Sequence, residues 1–108
     1  MQAIIQAKCV RCHDPAHPVV IETQTYVAMD LTAPHAYADL VNKPATESCG
    51  GVLVVPGNPA TSYLYAKVSQ AMPCDGERMP HQGMILTPPL PADEIATIET
   101  WIRDGALP

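Results

Sequence analysis

The clearest hydrophobic periodicity lies near the C-terminus. Ile95, Ile98, Trp101 and Ile102 recur at i, i+3, i+6 and i+7, an apolar stripe on an otherwise polar helix. Pro91 suits its N1 position, Asp93 and Glu94 place carboxylates where the helix dipole favours anions, and Gly105 supplies the stop. At the other end, residues 1–13 (MQAIIQAKCVRCH) read as a short helix. Ile4, Ile5, Lys8 and Cys9 share one face, and Cys12 and His13 continue it at helical spacing; Asp14-Pro15 ends it. Thr32 reads as an N-cap, with Pro34 in the first turn of a helix over 33–42 that turns Ala36, Tyr37, Leu40 and Val41 inward. Asn58-Pro59 opens another over 59–70, with Leu64, Tyr65 and Val68 on its apolar side.

The remaining stretches lack such periodicity. Residues 14–31 are irregular or extended, with Val19-Val20-Ile21 and Tyr26-Val27 as arms of a short hairpin. GGVLVVP, residues 50–56, forms a loop or short strand. Residues 71–90 (AMPCDGERMPHQGMILTPPL) carry four Pro and two Gly. An irregular loop of about 20 residues is unusual in a compact domain unless it has a function, so something must order it. A cofactor face is the natural candidate. Together these patterns predict an all-α chain of about four helices with long Pro-rich loops, residues 1–108 forming one domain.

Composition sharpens that expectation. The 108 residues include twelve Pro, four Tyr, one Trp and no Phe, so large aromatic core material is scarce. A chain this short buries only about two-thirds of the surface its unfolded form exposes. A buried, flat, apolar cofactor would supply the missing core. Six Lys+Arg against eleven Asp+Glu give a net charge of −5, with no basic cluster, which argues against a nucleic-acid partner. The acidic balance suits ordinary solvation and would also steer a basic redox partner. No stretch approaches the roughly 20 apolar residues of a membrane span. Met1-Gln2 opens directly on a helical turn, so the expectation is a chain that follows a processed leader or is cut from a longer protein.

The four cysteines divide into a close pair, Cys9 and Cys12, and a distant pair, Cys49 and Cys74. Cys9-Val10-Arg11-Cys12-His13 matches C-x-x-C-H, the attachment pattern of c-type haem. Two thiols three residues apart on a helix lie on one face, placed to form thioethers along one porphyrin edge. The next residue then offers a neutral imidazole to the iron. A thioredoxin-like pair would want a βαβ context, which is missing. A zinc site would want a second ligand pair, and Cys49 and Cys74 bring no adjacent partner.

With IIQAKCVRCH at the start, VVPGNPATSYLYAKV in the middle, then RMP and the ending DEIATIETWIRDGA, the chain resembles the mono-haem, all-helical cytochrome c family. The likeness is greatest to bacterial domains found within larger secreted or periplasmic proteins, and it spans nearly the whole chain. It implies a cytochrome c-like fold of about four helices around one covalently attached haem c. In that fold the terminal helices cross beside the haem, with Trp101 at their junction. The long, Pro-marked 14–31 segment departs from the short loop expected there.

The family's sixth-ligand position matches Met79, within Arg78-Met79-Pro80, so the resemblance implies His13 and Met79 as axial ligands. Pro80 would restrict the backbone beside the sulfur. Met72 and Met84 read as gap-fillers, with lesser claims as ligands; His81 or an open position is the other alternative. Met1 is a start residue and Met29 a loop residue, while His17 and His35 read as surface residues. Haem attachment implies maturation outside the cytoplasm, in the periplasm or an equivalent compartment, where a Cys49–Cys74 disulfide would persist. Arg78, Tyr63 or Tyr65 could meet a haem propionate, and Leu53 to Pro56, Leu64 and Leu86 could form the haem wall. The expected role is electron transfer to a redox partner protein or an adjacent redox domain, with no substrate turned over by the chain itself. The alternative is a haem with an exchangeable sixth position, suited to gas sensing or peroxide chemistry.

Overall fold

The computed structural model describes residues 1–21, 23–26, 29–80 and 88–108. Its secondary structure is mostly helical: α1 (Gln2–Lys8), α2 (Ala36–Leu40), α3 (Tyr63–Ser69) and α4 (Ala92–Arg103), with one antiparallel hairpin, β1 (Val19–Ile21) and β2 (Gln24–Tyr26). The chain divides into two compact units, Met1–Asp39 and Leu40–Pro108.

In the first unit, α1 is a short amphipathic helix that buries Ile5. The hairpin pairs Val19 with Tyr26 and Ile21 with Gln24; its first arm is the expected Val19–Ile21, its second arm is Gln24–Tyr26, and Val27 lies outside the described residues. Leu31 is buried and serves as a backbone strap: its N–H donates to the His13 carbonyl (2.9 Å) and its carbonyl accepts from Gln6 Nε2 (3.0 Å). The Thr32 carbonyl accepts from the His35 and Ala36 N–H groups, both at 2.9 Å, so a turn leads into α2, which spans Ala36–Leu40 and not the expected 33–42. The Thr32 hydroxyl donates to Asp30 instead of capping the helix, and Tyr37 is exposed, not inward. The turn is tightened by the Asp30 side chain, which accepts from the Thr32 N–H (2.9 Å) and hydroxyl.

The second unit is built around an extended run, Val52 to Val55, bridged on both sides. On one side the Asn42 N–H reaches the Val54 carbonyl (2.9 Å) and the Leu53 N–H the Lys43 carbonyl (2.7 Å). On the other, the Tyr63 and Leu64 N–H groups donate to the carbonyls of Val52 (3.0 Å) and Leu53 (2.9 Å). Residues 59–70 are therefore not one helix. Asn58 caps a 3-10 turn, Pro59–Thr61, through its side-chain oxygen, Ser62 is extended, and α3 begins at Tyr63. Ser62 is buried with its hydroxyl satisfied: it accepts from the Val55 N–H and donates to the Asn58 carbonyl, both at 2.8 Å.

Helix α4 buries Ile98 and Ile102, with Pro91 one position earlier than N1, at the N-cap. Its end is a Schellman closure: Gly105 (φ +107) donates to the Ile102 carbonyl (3.1 Å) and Ala106 to the Trp101 carbonyl (2.8 Å). The Trp101 indole donates to the Leu107 carbonyl (2.7 Å), and the Gly57 N–H to the Ile102 carbonyl (2.7 Å). These bonds fasten the helix end to its own unit.

Candidate functional site

The C-x-x-C-H segment sits where α1 unwinds. The helix ends at Lys8, and Cys9 caps it with its N–H on the Ile5 carbonyl (2.9 Å). The Cys9 carbonyl then accepts from both the Cys12 N–H (3.1 Å) and the His13 N–H (3.0 Å). The segment is thus a tight turn following the helix, not the continued helix expected from its spacing. One carbonyl gathers the three candidate residues, Cys9, Cys12 and His13, within a single turn. Cys9, Cys12 and His13 are all half-buried.

Burial pushes the His13 imidazole below its ordinary value of 6.5, holding it neutral at physiological pH. Its Nδ1 is buried without a hydrogen-bond partner. A buried polar atom left this way costs about 1–3 kcal/mol. A neutral imidazole is also the form that binds iron. Two thiols and a neutral, incompletely satisfied imidazole on one turn are a donor set that fits a c-type haem. Among the described residues, no group of three or more His, Cys, Asp or Glu is arranged to hold a metal ion.

Met79 belongs to the other unit. It lies on the segment after α3, half-buried, with its N–H on the Lys67 carbonyl (2.8 Å) and a cis peptide bond to Pro80. His81, Met84 and Leu86 lie outside the described residues. Met72 is 89% exposed, so it fills no core gap. Met29 is half-buried. His17 and His35 are exposed, as expected, each beside an aspartate: His17 Nδ1 is 2.9 Å from Asp14, and His35 Nε2 is 3.9 Å from Asp30.

Cys49 and Cys74 form a disulfide, with their Cα atoms 6.2 Å apart. It ties the turn before the extended run to the segment carrying Met79. Lys67 and Gly50, which sequence reasoning passed over, and Tyr63, considered there only for a propionate, reinforce that tie. Lys67 Nζ (2.7 Å) and the Tyr63 hydroxyl (3.1 Å) both donate to the Asp75 carbonyl, and the Lys67 ammonium lies 5.7 Å from the Tyr63 ring centre. Gly50 lets the chain pass close to the same ring: a Cβ there would stand 2.7 Å from both Ala45 Cβ and Tyr63 Cδ1. The i, i+4 spacing of Tyr63 and Lys67 was the available signal. Both tyrosines considered for a propionate have partners within the chain, Tyr65 being hydrogen-bonded to Glu99. Arg78 is half-buried, and its Nε is buried without a hydrogen-bond partner. Leu53 and Val54 are buried, and Leu64 is half-buried.

No protein-family model, curated protein or solved structure matches the chain.

Proposed function

We propose that the chain is a c-type cytochrome domain that transfers electrons through one covalently attached haem. The observation that carries this reading is the Cys9–His13 turn, with its buried, neutral imidazole and unsatisfied Nδ1 directly after two closely spaced thiols. Cys9 and Cys12 would hold the haem by thioethers, and His13 would ligate its iron. When bound, the haem supplies an iron that accepts and releases one electron.

The chain's own contribution is to position these groups. Cys9 fixes the turn through its carbonyl, and the Leu31 N–H anchors the His13 carbonyl. Desolvation keeps the imidazole unprotonated and ready to bind. Met79 would be the second residue to hold the iron, with its backbone tethered to α3. A thioether there would raise the reduction potential and close the iron to added ligands. An acidic surface, net −5, suits a basic redox partner outside the cytoplasm.

The test is to produce the chain in a host that attaches c-type haem and to denature it in acid-acetone. Haem retained by the polypeptide, with the reduced α band at shorter wavelength than that of a non-covalently bound haem, is expected. Haem released entirely into the solvent overturns the reading. Ligation is read separately, from the weak charge-transfer band of Met on ferric iron. That band should disappear in Met79→Ala. Fast, complete carbon monoxide binding by the reduced wild type would instead favour an exchangeable sixth position.

A further inference from the structure

We propose that the Cys49–Cys74 disulfide and Lys67 together form a redox-releasable clasp that positions Met79, and that reducing the disulfide opens the sixth coordination position. The regulatory part rests on the reading of Met79 as an axial ligand. The clasp stands on contacts within one unit. α3 holds the 74–79 segment at both ends: Tyr63 and Lys67 donate to the Asp75 carbonyl, and the Lys67 carbonyl accepts the Met79 N–H. Cys74 sits immediately before Asp75, so its bond to Cys49 closes the near end of the clasp. On the other side of the bridge, the Cys49-Gly50 turn packs against the ring of Tyr63, the residue that also grips Asp75.

The bridge is also within reach of a reductant. Cys49 and Cys74 are both exposed, whereas Tyr63 beneath them is buried. A dithiol would attack one sulfur as its thiolate and form a mixed disulfide. Its second thiolate would then displace the remaining protein sulfur. Two electrons and two protons pass to Cys49 and Cys74, which become thiols, and the reductant becomes a cyclic disulfide. The Asp75 and Met79 contacts then hold the segment without a covalent restraint, and its open population rises.

The experiment uses haem-loaded protein, folded with the disulfide intact and kept ferrous, before and after dithiothreitol, beside Cys49→Ser/Cys74→Ser and Lys67→Met. Two quantities are read: exchange of the Met79 amide hydrogen and the rate of carbon monoxide binding. Reduction is expected to raise both by about tenfold or more, and the double serine variant should match the reduced wild type. Lys67→Met should raise both by a smaller factor with the disulfide intact. Unchanged amide exchange after complete reduction overturns the clasp, whatever carbon monoxide does. Faster exchange beside carbon monoxide binding that is already fast and unaltered overturns Met79 as a ligand, and the regulatory proposal with it. Because wild type is folded before it is reduced, a folding failure in either variant leaves the outcome decided.

Discussion

The two segments that the proposed haem would need are held in opposite ways. The Cys9–His13 turn is local: an i+3 and an i+4 hydrogen bond to one carbonyl bring its residues together, and the Leu31 N–H straps the His13 carbonyl. The Met79 segment has little local structure. It is held by a disulfide spanning 25 residues, by two side chains of α3 and by one backbone bond to Lys67. A turn closed by neighbours costs little loop entropy to form, whereas a segment closed at long range depends on its cross-links. The first arrangement suits permanent attachment. The second suits a ligand whose hold on iron can be adjusted.

The largest effect should come from the local side of this contrast. Cys9→Ser/Cys12→Ser is expected to abolish covalent haem, so that acid-acetone extracts all of it. Met79→Ala should keep the haem covalently bound and alter only its spectrum and ligand binding. Denaturing electrophoresis with haem staining, paired with absorption spectra, checks both. Covalent haem surviving in the double serine variant would break the assignment of the two thiols.

Removing the disulfide is the next largest effect. Closing a loop of this length stabilises the folded chain by about 3 kcal/mol in the chain-entropy model. Cys49→Ser/Cys74→Ser should therefore lower the guanidinium midpoint by a corresponding amount. If the contrast is real, amide exchange at Met79 accelerates more than exchange at His13, whose N–H is closed onto Cys9 within its own turn. Equal acceleration at both amides would show that the turn leans on long-range restraints as well.

What the sequence made legible follows the same division. The stripe Ile95 to Ile102, the Asn58 cap and the Gly105 stop are signals carried by residues a turn apart, and each has its counterpart in the structure. The helix expected over 59–70 is instead broken at Ser62, because Tyr63 and Leu64 give their N–H groups to Val52 and Leu53. No spacing rule sees that partner. The C-x-x-C-H residues were legible as a motif but were placed on a continued helix, whereas the Ile5 carbonyl takes both the Cys9 and Val10 N–H groups and the helix closes there. The 71–90 loop was expected to need an ordering agent, and a cofactor was the candidate. For residues 74–79 the chain supplies its own order, through Cys49, Tyr63 and Lys67.

A smaller perturbation probes the packing beneath the disulfide. In Gly50→Ala the new methyl would overlap Ala45 Cβ and the Tyr63 ring, both 2.7 Å from its ideal position. One neighbour is a short side chain and the other a buried ring, so neither yields easily. Overpacking of this kind costs about 1–3 kcal/mol. A thermal melt measures it. Because Tyr63 also grips Asp75, Met79 amide exchange should rise too. A stability loss with unchanged Met79 exchange would separate the ring's packing role from its grip on the segment.

The smallest expected effect is a pH dependence confined to the first unit. The Asp30 carboxyl is held below its ordinary 3.8, chiefly by hydrogen bonds from the Thr32 hydroxyl and N–H, with a weaker pull from His35. Desolvation opposes this, as more weakly does the like charge of Asp14, and Asp39 accepts the Asp30 N–H at 3.1 Å. A carboxyl whose folded value lies below its unfolded value binds fewer protons when folded. Its stabilisation is present above the unfolded value, near 3.8, and is lost as pH falls through the folded value. Asp30→Asn keeps an oxygen for both Thr32 donors but has no charge to titrate. The difference in stability between wild type and Asp30→Asn should therefore be constant above about pH 5 and shrink steadily below it. Because Asp30 is solvent-accessible, added salt should weaken the share contributed by His35 and leave the two Thr32 hydrogen bonds. Denaturant melts from about pH 6 down to about pH 2, at low and high salt, measure both. A difference that stays flat across the whole range would show that the Thr32 bonds are equally good to either form of the side chain.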